Sequence, residues 1–98
     1  MRSVQVPVIL VIYDVRDDAA RNAVARRLTS LGFTRIQRSA YVRRGTAGVA
    51  RHVFRVLSRL VDAATDRLLV LTVPEQAYAS AHVLGRRVIH ELGGTILV

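Results

Sequence analysis

The sequence predicts a single α+β domain whose strands and helices follow one another in the order βαββαβ. Three patterns support this prediction. Residues 4–13 and 67–73 are apolar runs rich in β-branched side chains, as in buried strands. Residues 20–31 and 46–60 repeat apolar side chains at helical spacing. Residues 34–44 alternate apolar and polar side chains, as in half-exposed strands.

The first two elements are a central strand and a helix with recognisable ends. Residues 4–13 are almost continuously apolar, which is typical of a strand covered on both faces. Asp17 or Asp18 is suited to cap the following helix, because its carboxylate can accept hydrogen bonds from the free N–H groups there. Gly32 is expected to end this helix, since glycine readily adopts the left-handed conformation at a helix terminus.

The second half of the domain begins with a hairpin. Residues 34–44 predict two short strands with a tight turn near Arg38 and Ser39. A second amphipathic helix is expected from Thr46 onward. The apolar run Arg67–Val73 then predicts the last strand of the core, which ends at Pro74 because proline has no backbone N–H to donate.

This order is the split βαβ of a ferredoxin-like sandwich, in which two helices cover one face of an antiparallel sheet. The first and last strands of the core are too apolar to leave one face in water. We therefore expect the open face of the sheet to be buried against a second copy of the chain, giving a homodimer.

A C-terminal extension, residues 74–98, follows the core at 4–73 within the same domain. Apolar positions across 78–92 predict a helix, although residues 81–84 also suit a short strand. The apolar, β-prone residues 95–98 are expected to pair with a sheet edge, which the partner copy can supply.

The composition narrows the classes of function. The chain has no cysteine among its 98 residues, which excludes disulfides and thiol catalysis. Its longest uninterrupted apolar run, at 8–13, is far shorter than the roughly 20 residues that span a bilayer. We expect a soluble protein of the cytoplasm without membrane contact. A formal net charge of +8, carried by fifteen arginines against seven carboxylates, indicates a polyanionic partner such as nucleic acid.

Asp14 is a carboxylate placed directly after the first apolar run. Two interpretations fit this position. Asp14 can be structural, accepting hydrogen bonds from the helix start or pairing with Arg16 or Arg21. It can instead bind a hard cation, and because one carboxylate holds Mg2+ poorly, a homodimer would let two copies of Asp14 share one ion.

Two motifs carry a resemblance to a known family. They are the strand end Tyr13-Asp14 followed by Asp17-Asp18 and Arg21, and the later run Gly32-Phe33 with Arg35-Ile36-Gln37-Arg38-Ser39-Ala40-Tyr41. In order and spacing they resemble the CRISPR-associated Cas2 family, the small homodimeric proteins of CRISPR spacer acquisition. The resemblance extends to about residue 73.

The resemblance implies a ferredoxin-like homodimer that associates with the CRISPR integrase and helps to hold the DNA fragment that becomes a new spacer. It also implies a metal-dependent endonuclease activity on RNA or DNA, as described for some members. In those members the aspartate after the first strand is the metal ligand shared between subunits, and that residue is Asp14 here. The ion, Mg2+, would activate water and neutralise charge on the phosphate.

Arginines near the first helix start and along the hairpin are expected to bind nucleic acid, because a guanidinium fork matches phosphate oxygens. They are Arg16, Arg21, Arg35, Arg38, Arg43 and Arg44. Ser39 and Tyr41 are candidates for supporting contacts with phosphate or a metal-bound water, and equally suit a turn and packing. The row Arg51, Arg55 and Arg59 predicts a solvated helix face, or a contact with DNA at the edge of the dimer.

Two further observations keep other functions open. The family commonly has an acidic residue soon after the aromatic residue of the second motif, whereas Val42-Arg43-Arg44 follows Tyr41 here. The fold alone also suits a toxin-type endoribonuclease or a non-enzymatic ligand-binding regulatory module. The strongly positive charge favours a nucleic-acid partner over the ligand-binding module.

Overall fold

The computed structural model describes residues 6–85, 91–92 and 95–96. The elements of the core confirm the predicted order βαββαβ. They are β1 (Val8–Asp14), α1 (Asp18–Ser30), β2 (Thr34–Gln37), β3 (Ala40–Arg44), α2 (Ala47–Ser58) and β4 (Arg67–Val73). The elements that follow are α3 (Glu75–Ala79), β5 (Glu91–Leu92) and β6 (Thr95–Ile96).

The core contains one four-stranded antiparallel sheet in the order β2-β3-β1-β4. The strand β1 is therefore central, with β3 on one side and β4 on the other. Ile12 lies opposite Ala40 of β3 and opposite Leu69 of β4. This strand order and the two crossover helices confirm the ferredoxin-like α+β fold.

The helix α1 begins and ends where the sequence predicts. The carboxylate of Asp17 accepts a hydrogen bond from the backbone N–H of Ala20 at 2.8 Å, and such a cap contributes about 1 kcal/mol to stability. Gly32 adopts φ +87°, a conformation that glycine tolerates without strain. The helix buries Val24 and Leu28 against the sheet.

The main core lies between the two helices and one face of the sheet. Alternate residues of β1 point into it, namely Ile9, Val11 and Tyr13. The helix α2 contributes Val53 and Leu57, which are almost fully buried. Full burial of such an aliphatic side chain contributes about 1.5–3 kcal/mol, so this layer dominates the stability of the domain.

The opposite face of the sheet is apolar but only partly covered. Val8 and Val42 are fully buried there, in a smaller cluster to which Tyr78 of α3 adds its ring. Farther along the same face, Ile12 is 41% exposed and Leu69 is 48% exposed. We call this surface the open sheet face.

The expectation of a long C-terminal helix is wrong for the residues that the structure describes. The helix α3 ends at Ala79, and residues 81–84 form neither helix nor strand. Val83 is 74% exposed and Leu84 is fully exposed, so the apolar side chains that gave the helical pattern find no surface to bury them. A short helix without a packed face is marginal in water. Residues 86–90 of the predicted helix lie outside the described residues.

The strand predicted at the C-terminus is present at Thr95–Ile96. It pairs with Glu91–Leu92 of the same chain and not with an edge of the four-stranded sheet. The first strand begins at Val8, later than predicted, directly after Pro7. Within the described residues, no helix has both the length and the apolar character needed to cross a membrane.

Gly45 provides a test of the packing beside β1. A Cβ atom added there would lie 2.5 Å from Cδ1 of the buried Ile9 and 3.4 Å from Cγ1 of Val49. We expect Gly45→Ala to lower the free energy of unfolding by about 1–3 kcal/mol, because overpacking a dense core forces side chains off their rotamers. Chemical denaturation measures this change.

Gly48→Ala is the matched control. Its added Cβ atom would meet nothing closer than 3.7 Å, and alanine favours the first turn of α2. We expect Gly48→Ala to stabilise the protein by about 0.4–1 kcal/mol. Equal effects of the two substitutions would contradict the packing described for Gly45.

Candidate metal and nucleic-acid site

Asp14 is the last residue of β1 and lies on the open sheet face. It is exposed, and the register of β1 with β4 places it directly opposite Arg67. Within the described residues its carboxylate makes no hydrogen bond and no ion pair. The contacts that a purely structural Asp14 would make, with the helix start or with Arg16 or Arg21, are therefore not formed.

Arg21 is occupied within its own helix start. Its side chain pairs with the carboxylate of Asp18 and also donates a hydrogen bond to the carbonyl oxygen of Val15 at 3.1 Å. These contacts join the beginning of α1 to the end of β1. Arg21 therefore stabilises the turn that follows Asp14, and its guanidinium is less available for phosphate than that of Arg16.

Asp66 holds the segment after Asp14 in place. Its carboxylate accepts hydrogen bonds from the backbone N–H of Asp62 at 2.8 Å and from that of Arg16 at 3.0 Å. Both hydrogen bonds lower the pKa of the Asp66 carboxyl, and the one from Asp62 has the larger effect. The backbone of Arg16 is thereby fixed beside the start of β4, while its side chain remains exposed.

The turn of the hairpin lies beside the end of β1. The carbonyl oxygen of Ser39 accepts a hydrogen bond from the backbone N–H of Tyr13 at 3.0 Å. Arg38, the other residue of the turn, is exposed and has no ion-pair partner within the described residues. The structure therefore brings Arg16, Arg38 and Ser39 to the same end of the sheet as Asp14.

Tyr41 points away from Asp14, into the helix-covered core. Its ring is 4% exposed and stacks on that of Tyr13, with 6.1 Å between centroids. Burial, the charge repulsion expected between the two phenolates and a hydrogen bond with Tyr41 together raise the pKa of Tyr13 to about 12. Tyr41 therefore packs in the core, and a substrate would not reach it in this structure.

Arg35 lies close enough to Tyr13 for its positive charge to oppose this rise in the pKa of Tyr13. The Nε of Arg35 donates a hydrogen bond to the carbonyl oxygen of Gln37 at 3.3 Å.

Arg43 and Arg44 do not join the other predicted phosphate contacts. They lie opposite Ile9 and Val8, so Arg44 is about 20 Å along the sheet from Asp14 at the usual rise of a strand. Arg43 donates to the carbonyl oxygen of Leu31 at 2.8 Å and lies over the ring of Phe33.

Arg44 pairs with Glu75 at the start of α3. Both arginines support the fold at the far end of the hairpin. The predicted track of six arginines is thus divided between the two ends of the sheet.

Arg67 is a site residue that sequence reasoning missed. It is exposed, it is the first residue of β4, and it shares the open sheet face with Asp14. Directly opposed residues of an antiparallel pair have Cβ atoms about 5 Å apart. The signal that could have identified Arg67 is the split βαβ topology, because it pairs the start of the last strand with the end of the first.

The donor set decides how a metal ion could be held. Within the described residues there is no group of three or more histidine, cysteine or acidic side chains able to bind one. Asp14 alone offers a single unpaired carboxylate, whereas Mg2+ prefers six oxygen ligands. A site at Asp14 therefore fits Mg2+ only if a second chain and water supply the remaining oxygens.

The geometry defines a ferredoxin-like protein with an unpaired carboxylate at the end of its central strand. A family model described as CRISPR associated protein Cas2 matches residues 7–81. The chain belongs to this family, which confirms the resemblance seen in the sequence motifs.

Curated relatives agree with this assignment. A protein of Aeropyrum pernix named CRISPR-associated endoribonuclease Cas2 is 34% identical over 77 residues, covering 79% of this chain and 84% of that protein. A protein of the same name from Thermofilum pendens is 35% identical over 80 residues, covering 82% and 85% of the two chains.

The fold resembles that of a hypothetical protein, TT1823, from Thermus thermophilus, with a TM-score of 0.70 and 27% identity over 83% of this chain and 93% of that one. It also resembles Streptococcus pyogenes Cas2, with a TM-score of 0.63 and 22% identity over 80% of this chain and 99% of that one. The second likeness concerns the fold alone.

Asp14 and Asp66 are expected to differ sharply in their contributions to stability. Asp14→Asn should change the free energy of unfolding by less than about 0.5 kcal/mol, because the carboxylate has no partner to lose. Asp66→Asn should lower it clearly, because the amide replaces a charged acceptor of two backbone N–H groups. Chemical denaturation at pH 7 measures both changes.

The pH dependence provides a second measurement of the Asp66 contribution. Because folding lowers the pKa of Asp66 below its ordinary value of 3.8, its contribution is present above that value and is lost as the pH falls further. Asp66→Asn should therefore lose less stability than the wild type on acidification.

For the first pair of variants, a clear loss of stability in Asp14→Asn would show that the Asp14 carboxylate has a structural partner.

Proposed function

We propose that the protein acts in CRISPR spacer acquisition, as a homodimer that binds duplex DNA together with the CRISPR integrase in the cytoplasm. We further propose that paired Asp14 residues form a Mg2+-dependent endonuclease site for RNA or DNA. Membership of the Cas2 family supports the first proposal. The relatives named endoribonuclease support the second.

The open sheet face supports the homodimer. An antiparallel sheet with one solvated face normally places polar residues on that face, yet here Ile12 and Leu69 are about half exposed, and Leu10 and Leu71 are partly buried. Burying such side chains contributes about 25 cal/mol per Å² of apolar surface. A second copy carries the same surface, so one two-fold interface covers both faces.

The unpaired Asp14 is the observation that carries the proposed site. It lies at the end of the open sheet face, next to the residues that the second copy would cover. A two-fold axis that passes through this face close to Asp14 would bring a second Asp14 into the same region and double the number of carboxylate oxygens. Asp14 of each chain would then hold Mg2+, which when bound supplies charge neutralisation at the phosphate and an activated water.

The exposed arginines at the same end of the sheet supply the binding of the substrate. Arg16 and Arg38 have no ion-pair partners within the described residues, and Arg67 lies opposite Asp14. Guanidinium groups form paired hydrogen bonds with phosphate oxygens and would orient the backbone at this site. The excess of positive charge over the whole chain adds a sequence-independent attraction for nucleic acid.

The nuclease activity of the Asp14→Asn variant tests the proposed site. We expect its Mg2+-dependent cleavage of single-stranded RNA or double-stranded DNA to fall by more than about 100-fold, because the support of a bound metal ion amounts to several kcal/mol. Its dimerisation and its affinity for duplex DNA should persist, since Asp14 supports neither the core nor phosphate binding. Gel-based cleavage assays with Mg2+ or with a chelator measure the first effect, and sedimentation and fluorescence anisotropy measure the others.

Asp18→Asn is the matched control for this experiment. It changes the net charge by the same amount and removes the ion pair of the exposed Asp18 with Arg21, while the hydrogen bond from Arg21 to the carbonyl oxygen of Val15 stays in place. Because such a pair contributes at most about 1 kcal/mol, we expect cleavage by Asp18→Asn to stay within about fivefold of the wild type. Undiminished cleavage by Asp14→Asn, or equal losses in the two variants, would refute the site.

A further inference from the structure

The outer face of α2 carries a regular row of arginines. Arg51, Arg55 and Arg59 are all exposed, and they follow one another at intervals of four residues. The helical rise separates successive members of the row by about 6 Å along the axis. We call these three residues the α2 arginine row.

The α2 arginine row lies on the side of the domain opposite to Asp14. The buried residues of α2, Ala50, Val53 and Leu57, recur at spacings of three and four residues and face the sheet, so the arginines on the other side of the helix face away from it. Asp14 and the open sheet face lie on the other side of that sheet. Arg51 and Arg55 are therefore separated from the proposed metal site by the thickness of the core, whereas Arg59, directly after α2, lines a groove together with Arg16.

Within the described residues, the side chains of the α2 arginine row make no polar contact that would stabilise the fold. None of its side chains forms a hydrogen bond or an ion pair there, and α2 contains no acidic residue. Like charges at a spacing of four residues destabilise a helix slightly. The row thus carries a small folding cost that a bound polyanion would remove.

The positive surface continues onto α1. Arg26 and Arg27 are exposed, and both line a shallow groove with Leu60, directly after Arg59 at the end of α2. Neither arginine has an ion-pair partner within the described residues. Five arginines therefore face solvent on the helix layer.

The chemistry of this surface favours a phosphodiester backbone as its partner. Protein interfaces usually have an apolar centre within a polar rim. The α2 surface has no such centre within the described residues, because Phe54 is the one large apolar side chain that α2 exposes. A row of guanidinium groups at regular spacing instead matches a partner with repeated anions, and guanidinium forks bind phosphate oxygens in pairs.

We propose that the α2 arginine row, extended by Arg26 and Arg27, is a second nucleic-acid surface that binds the phosphate backbone independently of Asp14. In a dimer joined through the open sheet faces, the two helix layers lie outermost. Such a dimer would carry one of these surfaces on each outer side and could hold a second segment of nucleic acid there.

The salt dependence of binding tests the contribution of the row. We expect the triple variant Arg51→Gln, Arg55→Gln and Arg59→Gln to bind a 30-base-pair duplex with a shallower slope of log affinity against log salt. Each lost phosphate contact reduces that slope by about 0.9, so three lost contacts reduce it by about 2.7. The matched variant with lysine at all three positions keeps the charge and should retain most of the slope. Thermal unfolding of both variants verifies that they fold.

A cross-linking experiment locates the nucleic acid directly. Because the chain has no cysteine, Ser58→Cys on the exposed side of α2 accepts a single photoreactive probe. We expect this probe to cross-link the duplex, and the glutamine substitutions to abolish the cross-link. The same probe on Ser80→Cys in the exposed turn after α3 is the control and should cross-link much less. Asp14→Asn should leave the cross-link at Ser58→Cys unchanged, which separates this surface from the proposed cleavage site.

Two outcomes would overturn this proposal. One is an unchanged salt slope in the glutamine variant together with no cross-link from Ser58→Cys. The other is a competition experiment in which polyglutamate reduces the cross-link at Ser58→Cys as effectively as single-stranded RNA or unlabelled duplex does. That result would indicate an acidic protein partner. Stronger competition by the RNA or by the duplex identifies the form of nucleic acid that this surface binds.

Discussion

The antiparallel pairing of β1 with β3 on one side and β4 on the other is the constraint on which both the fold and the site depend. It directs Ile9, Val11 and Tyr13 into the helix-covered core and leaves Ile12 and Asp14 on the open sheet face. A shift of one residue in this register would exchange the two sets, bury the Asp14 carboxylate and expose core side chains. The register of β1 with its two neighbours therefore determines where the carboxylate lies.

This arrangement also explains which parts of the structure could be predicted from the sequence. The order of the elements follows from local periodicity, and the start of α1 follows from the capping carboxylate of Asp17. The opposition of Asp14 and Arg67 depends on long-range register, which local patterns do not contain. The C-terminal helix was overpredicted because an apolar pattern indicates a helix only when a packed face is available to bury it.

The arginines show the same limit for the candidate site. In the sequence, Arg38, Arg43 and Arg44 belong to one basic hairpin. In the structure, Arg38 is in the exposed turn beside Asp14, whereas Arg43 binds the carbonyl oxygen of Leu31 and Arg44 pairs with Glu75. Net charge counts these residues alike. Only the contacts distinguish arginines that hold the fold together from those that remain available to phosphate.

The central claim is that the open sheet faces of two chains join and bring their Asp14 residues together. The stoichiometry of Mg2+ binding, measured by isothermal titration calorimetry, tests this claim most directly. The account predicts one ion for two chains, abolished by Asp14→Asn and by Leu69→Glu, which places a charge on the exposed apolar face. One ion for each chain, or undiminished binding by a monomeric Leu69→Glu variant, would contradict it.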